Sequence, residues 1–310
     1  MQPTVAVSEQ YIPFGEWRTW ARITRPGEQA PEQAGQPAAG RIPVIVLHGG
    51  PGMAHDYVQN FSRLADTGRA VIHYDQIGCG RSTHLPDASP DFWTVQLFVD
   101  EFVNLVEHLG ITQYHLVGQS WGGMLAAELA TRRLPGLRSL AICNSPASME
   151  LWMSGAASLR AQLPEAARTA LDQHEAAGTT DHPDYFAATQ VFYDRHVCRI
   201  TPTPADFQAS VDQMEAEPTV YHTMNGPNEF HIVGSLRTWS VIDRLPVVAV
   251  PTLVVAGEFD EATPETWAPF VDRIAGARQH VFAGGSHCVH LEQPDTFFAV
   301  LGAFLAENDG

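Results

Sequence analysis

The chain contains no lysine. All 18 of its basic residues are arginine, set against 35 Asp and Glu, for a formal net charge of −17. That excess of negative charge argues against a nucleic-acid or anionic-membrane partner, since both require clustered positive charge. Cysteine is also scarce: Cys79, Cys143, Cys198 and Cys288 are widely separated and form no CxxC pair, so neither a disulfide scaffold nor a zinc site is expected. Long apolar runs are missing too. The longest, 245–257, is interrupted by Pro246 and Pro251 and is too short to span a bilayer. Residues 1–15 show no basic segment leading into an apolar core, so no export signal is expected and a reducing cytoplasm is the simplest setting.

What is present is enough apolar material, 45% of 310 residues, to bury a large core. One α/β domain carrying an insertion fits this length better than two equal domains. Residues 11–25 read as an opening hairpin strand and 26–40 as a Pro/Gly/Gln loop. Apolar runs at 42–47 and 70–74 have the character of strands buried on both faces, and further strands are expected at 114–117, 137–143, 252–256 and 280–282. From Trp93 to Leu109, apolar residues recur every three or four positions, the mark of a helix packed on a sheet. Further helices are expected at 124–133, 264–275 and 294–306. The alternation predicts a mostly parallel sheet covered by helices on both faces. It breaks between Pro146 and Leu245, where Ala-rich runs such as Ala156–Ala170, many aromatics and scattered prolines predict a helical cap. The expected division is a core of 1–145 and 246–310 with a cap of 146–245.

The densest chemical signal is Gly118-Gln119-Ser120-Trp121-Gly122-Gly123, between an apolar strand and a helical run. Glycine two residues either side of a serine suits a sharp strand-to-helix turn that presents the hydroxyl as a nucleophile. Alone the pattern is weak, arising by chance in about one chain of this length in ten. Three partner motifs strengthen it. His48-Gly49-Gly50-Pro51-Gly52 follows a strand and can offer one backbone N–H to an oxyanion, with the N–H of Trp121 as the other. The loop Gly257–Glu261 supplies an acid, with Glu258, Asp260 and Glu261 all candidates from sequence alone. Gly284-Gly285-Ser286-His287 supplies a base, His287 being favoured over His290 by its place at a glycine-rich loop apex. The order serine, acid, histidine is that of the α/β-hydrolases.

Together, HGGPG at 48–52, DQIGCGRS at 75–82, GQSWGG at 118–123, NGPNEF at 225–230, EFDEATP at 258–264 and GSH at 285–287 resemble the proline iminopeptidases. The branch they look most like contains tricorn-interacting aminopeptidase and the bacterial L-amino-acid amidases. The resemblance runs from about residue 10 to the end and implies an α/β-hydrolase fold with Ser120 as nucleophile, Asp260 as orienting acid and His287 as base. It also implies oxyanion donors at the backbone of Gly50 and Trp121, and two carboxylates, Glu229 and Glu261, that hold the substrate's free α-ammonium group. A buried cation needs opposite charge nearby, and two carboxylates in one desolvated site are costly without one, so the chemistry agrees with the resemblance.

Ile77 departs from the family pattern, which often has arginine there, and leans toward the amidase-like branch. Asp75 and Arg81 read as turn-stabilising residues. Trp121 and Trp152 are candidates either for an apolar side-chain pocket or for the cap core. The expected activity is release of an N-terminal L-proline or small apolar residue from peptides, or hydrolysis of L-amino-acid amides, through an aminoacyl-enzyme. No metal or organic cofactor is required. The partner is a small molecule or short peptide with a free α-amine. The competing readings are an esterase, lactonase or acyltransferase using the same three residues on a substrate without an amine, and a binding protein that does no chemistry. Epoxide hydrolases and dehalogenases are disfavoured because they place Asp where Ser120 stands.

Overall fold

The structure, a computed structural model, describes residues 5–27 and 41–310; most of the loop expected at 26–40 lies outside them. Eight strands form one sheet: β1 (Val5–Phe14), β2 (Trp17–Pro26), β3 (Val44–Leu47), β4 (Val71–Asp75), β5 (Tyr114–Gln119), β6 (Leu137–Cys143), β7 (Thr252–Gly257) and β8 (Arg278–Phe282). Their order is β1-β2-β4-β3-β5-β6-β7-β8. The first two form an antiparallel hairpin, and β2 pairs antiparallel with β4; every other pairing is parallel. The opening segment is thus two strands around a turn at Gly15-Glu16, where the sequence suggested one.

Side chains along a strand alternate between faces, and here both faces are covered. Ile45 and Leu47 of β3, with Leu116 of β5, join one core together with Phe98, Phe102 and Leu105 of α1 (Val95–His108) and Leu125 of α2 (Trp121–Thr131). Val44, Val46 and Val117 face the opposite core, made with Phe61 of a 3-10 segment at Asp56–Thr67 and with Phe297, Leu301 and Phe304 of α10 (Pro294–Glu307). Helix α1 starts where the Thr94 hydroxyl accepts from the Leu97 N–H, and it presents its apolar stripe inward.

Between β6 and β7 the chain builds α3 (Met149–Arg160), α4 (Glu165–Ala177), α5 (Pro183–His196), α6 (Ala205–Ala216) and α7 (Thr219–Met224). The run expected to be helical from Ala156 to Ala170 is broken at 161–164. Pro164 sits extended at φ −53°, ψ 144°, and proline disfavours helix at the residue before it. Two short helices, α8 (Pro264–Arg273) and α9 (Val289–Glu292), precede and follow β8 ahead of α10. No helix among the described residues is long and apolar enough to cross a membrane.

From β3 the chain moves outward to β4, then returns to the other side of β3 to form β5. At such a reversal the loops beyond the carboxyl ends of the two strands diverge and leave a crevice. The 48–52 loop leaves β3 at this point and Ser120 leaves β5 beside it. The loops after β6, β7 and β8 emerge at the same edge because those strands are parallel.

Candidate active site

Ser120 stands between β5 and α2 with φ 57° and ψ −127°, one of three non-glycine residues with positive φ among those described. Such a backbone costs of order 1–3 kcal/mol and persists only where the surroundings impose it. They do so through close packing: a Cβ on Gly118 would lie 2.1 Å from the Gly122 carbonyl oxygen, and one on Gly122 would lie 2.1 Å from that of Leu47. The glycines flanking Ser120 are therefore required by contact, Gly118 within the turn itself and Gly122 against the end of β3. Helix α2 begins at Trp121, three residues before the expected start, so the Trp121 N–H is a first-turn donor with no intrahelical acceptor.

Contacts distinguish the candidate acids and histidines. Asp260, 3% exposed, accepts from the Ala262 N–H at 2.8 Å and from Asn144 Nδ2 at 2.5 Å, and its Oδ1 lies 2.8 Å from His287 Nδ1. Glu258 is exposed and accepts from the Gly284 N–H, a loop-holding contact. His290 is buried away from both, with Nε2 3.1 Å from the Tyr57 carbonyl, and burial lowers its pKa to about 3. With Nδ1 engaged by Asp260, His287 Nε2 is the ring nitrogen left without a hydrogen bond among the described residues, and the Glu261 carboxylate lies 3.6 Å from it. Among the described residues Ser120 Oγ has no hydrogen-bond partner, so the serine–histidine contact is the one link left open here. Such contacts commonly close only around substrate.

A hydrogen-bonded chain aligns the three loops. The Gly49 N–H donates to Tyr57 Oη at 2.7 Å, Tyr57 Oη donates to Gln119 Oε1 at 2.5 Å, and Gln119 Nε2 donates to the His287 carbonyl at 3.1 Å. Gly49 thus spends its N–H on Tyr57, which leaves that of Gly50 as the loop's candidate oxyanion donor. Gln76 adds a second tie: its Nε2 donates to the His48 carbonyl and its Oε1 accepts from Trp121 Nε1 at 2.8 Å. His48 accepts the Gln76 N–H at Nε2, and burial lowers its pKa to about 4, so it is a neutral structural group. Asp75 accepts from the backbone of His55 and Arg81, each at 2.8 Å, in keeping with a turn-stabilising role.

Gly50, Ser120 and Trp121 line a narrow cleft with Met124, Met149, Trp152, Leu236 and Glu229. Trp121 and Trp152 are buried and line it, so each serves both pocket and core. Glu229 is half-buried in the 225–230 loop. There Asn228 Oδ1 accepts from the N–H groups of Phe230 and His231, the Trp152 Nε1 donates to the Glu229 carbonyl at 2.7 Å, and the Tyr221 hydroxyl donates to the Glu229 carboxylate. Glu261 is 1% exposed, neither of its carboxylate oxygens has a hydrogen-bond partner, and Oε1 lies 3.6 Å from His287 Nε2. Burial pushes the carboxyl pKa of both glutamates up, and that of Glu261 is raised further by the charges of Glu229 and Asp260. Two acids are thus held under a desolvation penalty, with no cationic side chain among the described residues bonded to either, beside Ser120, His287 and Asp260.

Asn144, Gln119, Gln76 and Tyr221 were not singled out from the sequence. Gln119 and Gln76 lie inside quoted motifs, which was the available signal; Asn144 had only its place just after a strand.

Comparison with known proteins follows the same lines. Residues 42–294 match the family model of the alpha/beta hydrolase fold. A proline iminopeptidase of Lactobacillus delbrueckii subsp. lactis is 35% identical over 98% of this chain and 99% of its own. The crystal structure of proline iminopeptidase from Mycobacterium smegmatis is 64% identical with a TM-score of 0.89, covering 97% of this chain and 99% of that one. The crystal structure of VinJ is 49% identical with a TM-score of 0.92 over 99% of both chains. The chain belongs to the proline iminopeptidases, within the alpha/beta hydrolase fold.

Proposed function

We propose that this protein is a serine hydrolase that releases an N-terminal L-residue, proline or a small apolar side chain, from peptides or from amino-acid amides. Ser120 attacks the carbonyl while His287 Nε2 takes its proton, and Asp260 fixes the imidazole and stabilises the imidazolium. The N–H groups of Gly50 and Trp121 hold the oxyanion. The leaving amine takes the proton from His287, and water then hydrolyses the aminoacyl-enzyme. Residues 146–245 act as the cap that closes over the amino end of the substrate. A reducing, cytoplasmic setting belongs to the same proposal and is consistent with four free cysteines.

The observation that carries the reading is Glu261, a buried carboxylate without a hydrogen-bond partner, with the half-buried Glu229 adding to its charge burden. An α-ammonium between them would relieve the desolvation penalty of both and set the scissile carbonyl one residue from the amino terminus. The apolar lining from Met124, Met149, Trp152 and Leu236 suits proline or an aliphatic side chain. Glu229→Gln and Glu261→Gln should each lower kcat/KM on a prolyl or alanyl amide by about 100-fold, the scale of losing a buried charge–charge hydrogen bond, and leave hydrolysis of a simple acetate ester within a few-fold. Equal losses on amide and ester would refute the ammonium site and favour the esterase reading. N-acetylation of the substrate should mimic the double loss.

A further inference from the structure

The end of α5 and the residues just after it are bonded to both loops that carry the acid and the base. The His196 carbonyl accepts from the N–H of Glu261 at 3.3 Å and from that of His287 at 3.1 Å. The Val197 carbonyl accepts from the Cys288 N–H at 2.8 Å and from Ser286 Oγ at 3.0 Å. The Arg199 N–H donates to Glu292, whose carboxylate also holds the backbone and hydroxyl of Ser286. Two cysteines lie where these strands of chain meet. Cys288, 1% exposed, directly follows His287; Cys198, half-buried, packs against the apolar cluster to which Cys288 and Val197 belong. The other two cysteines are buried elsewhere, Cys79 in the 75–82 turn and Cys143 at the end of β6.

We propose that Cys198 and Cys288 are a redox modification site, forming a reversible disulfide that clamps the 196–199 segment onto the His287 loop and slows turnover. The contact with Cys288 holds the Cys198 thiol below its usual range, while burial pushes Cys288 well up. That division suits Cys198 as the thiol that meets the oxidant and Cys288 as the one that resolves it. With a hydroperoxide as oxidant, the Cys198 thiolate attacks the peroxide oxygen, the O–O bond breaks, and the leaving oxygen departs as water or an alcohol. The resulting Cys198 sulfenic acid is attacked at sulfur by Cys288, whose proton passes to the leaving oxygen as the S–O bond breaks and water departs. Two thiols are oxidised and one peroxide is reduced. Closing a bond of about 2.05 Å between the two sulfurs pulls on the backbone next to His287 and on the carbonyls of residues 196 and 197. Displacing the imidazole from Asp260 costs rate steeply, because alignment of the base is what the arrangement provides.

The absence of lysine makes the test clean, since trypsin cuts this chain at arginine alone. Cleavage yields His196–Arg199 and Gln279–Gly310, each with one cysteine. After treatment of the full chain with hydrogen peroxide, non-reducing mass spectrometry should find these two peptides joined, with the protein lighter by about 2 Da. Turnover of an acetate ester should fall at least about fivefold and return with dithiothreitol. Cys198→Ser should show neither effect while keeping its basal rate, and Cys198→Ala serves as a second variant with the thermal melt as a check on folding. Peroxide that leaves both peptides unlinked, or a linkage that leaves turnover unchanged, would overturn the proposal. The linkage is read by mass and the rate on an ester, so failure of the ammonium-binding proposal does not affect either readout.

Discussion

At the scale of single residues, the site depends on groups that hold the reacting ones. Asn144, in a positive-φ backbone at 54°, donates Nδ2 to Asp260 at 2.5 Å and to the Ser286 carbonyl at 3.3 Å. It therefore joins the acid loop to the base loop. Asn144→Gly removes the side chain while tolerating the same backbone, so its effect reads the hydrogen bonds alone. A bond to a charged group is worth about 1.5–3 kcal/mol, which predicts a fall in kcat of about 10- to 100-fold with KM little changed. An unchanged kcat beside a lowered melting temperature would assign Asn144 to stability only. Ser120 was legible because its backbone demands glycine on both sides, and that demand is written in the local sequence. Asn144 was not, because its importance comes from Asp260 and Ser286, which lie 116 and 142 residues away.

At the scale of elements, α1 shows what periodicity conveys and what it conceals. Its apolar stripe was evident, yet the same buried face carries Glu101, 0% exposed, held by the Thr19 hydroxyl at 2.5 Å and the Ile77 N–H at 3.0 Å. Burial raises this carboxyl from its ordinary value to about 8, against the smaller opposing effect of those two hydrogen bonds. Between about pH 4.5 and 8 the unfolded chain has lost this proton and the folded one retains it. The native state binds more protons in that window, so stability falls as pH rises through it. Glu101→Gln keeps a neutral group of the same shape and should remove this slope. Denaturant melts of both proteins from pH 5 to 9 check it: the wild type should lose stability relative to the variant up to about pH 8, then run parallel. Parallel curves throughout would mean that Glu101 is ionised in the native state across the whole range. The helix boundaries that sequence misplaced have local causes as well. Gly122 and Gly123 lie inside α2 because they pack against neighbouring chain, and Pro164 divides α3 from α4.

For the molecule as a whole, the two edges of the sheet do different work. The carboxyl ends of the parallel strands carry the site, while the amino ends are tied by Arg69, 0% exposed, which bonds both oxygens of Asp309 at 3.0 Å and the Ile42 carbonyl at 3.1 Å. Asp309 also accepts from the Ile42 N–H and lies 3.1 Å from His115 Nε2, so the last residues of the chain hold β3, β4 and β5 together. Asp309→Ala leaves a buried guanidinium without its counter-charge, a change that costs about 3–5 kcal/mol when fully buried. The Asp309 side chain is 17% exposed, so water compensates part of the loss and about 2–3 kcal/mol is expected. That corresponds to a melting temperature lower by roughly 5 °C, measured by calorimetry, with kcat unchanged because the pair lies at the far edge of the sheet. A loss of kcat at temperatures well below the melt would contradict this separation of roles.

The sequence by itself determined the alternation of strands and helices from β3 to β6 and the serine turn with the glycine-rich loop beside it, because periodicity and glycine placement are properties of neighbouring residues. It left three acids open in 257–261 and two histidines in 287–290, since each has the right chemistry and only contact distinguishes them. Folding a parallel sheet brings the ends of β3, β5, β6, β7 and β8 to one edge, and there Asp260 meets His287 while Glu258 faces solvent and His290 is sealed in the core. Burial then sets the character of Glu229 and Glu261. A carboxylate is ordinary in water and costly without a cation in a desolvated cleft, and desolvation belongs to the tertiary structure alone.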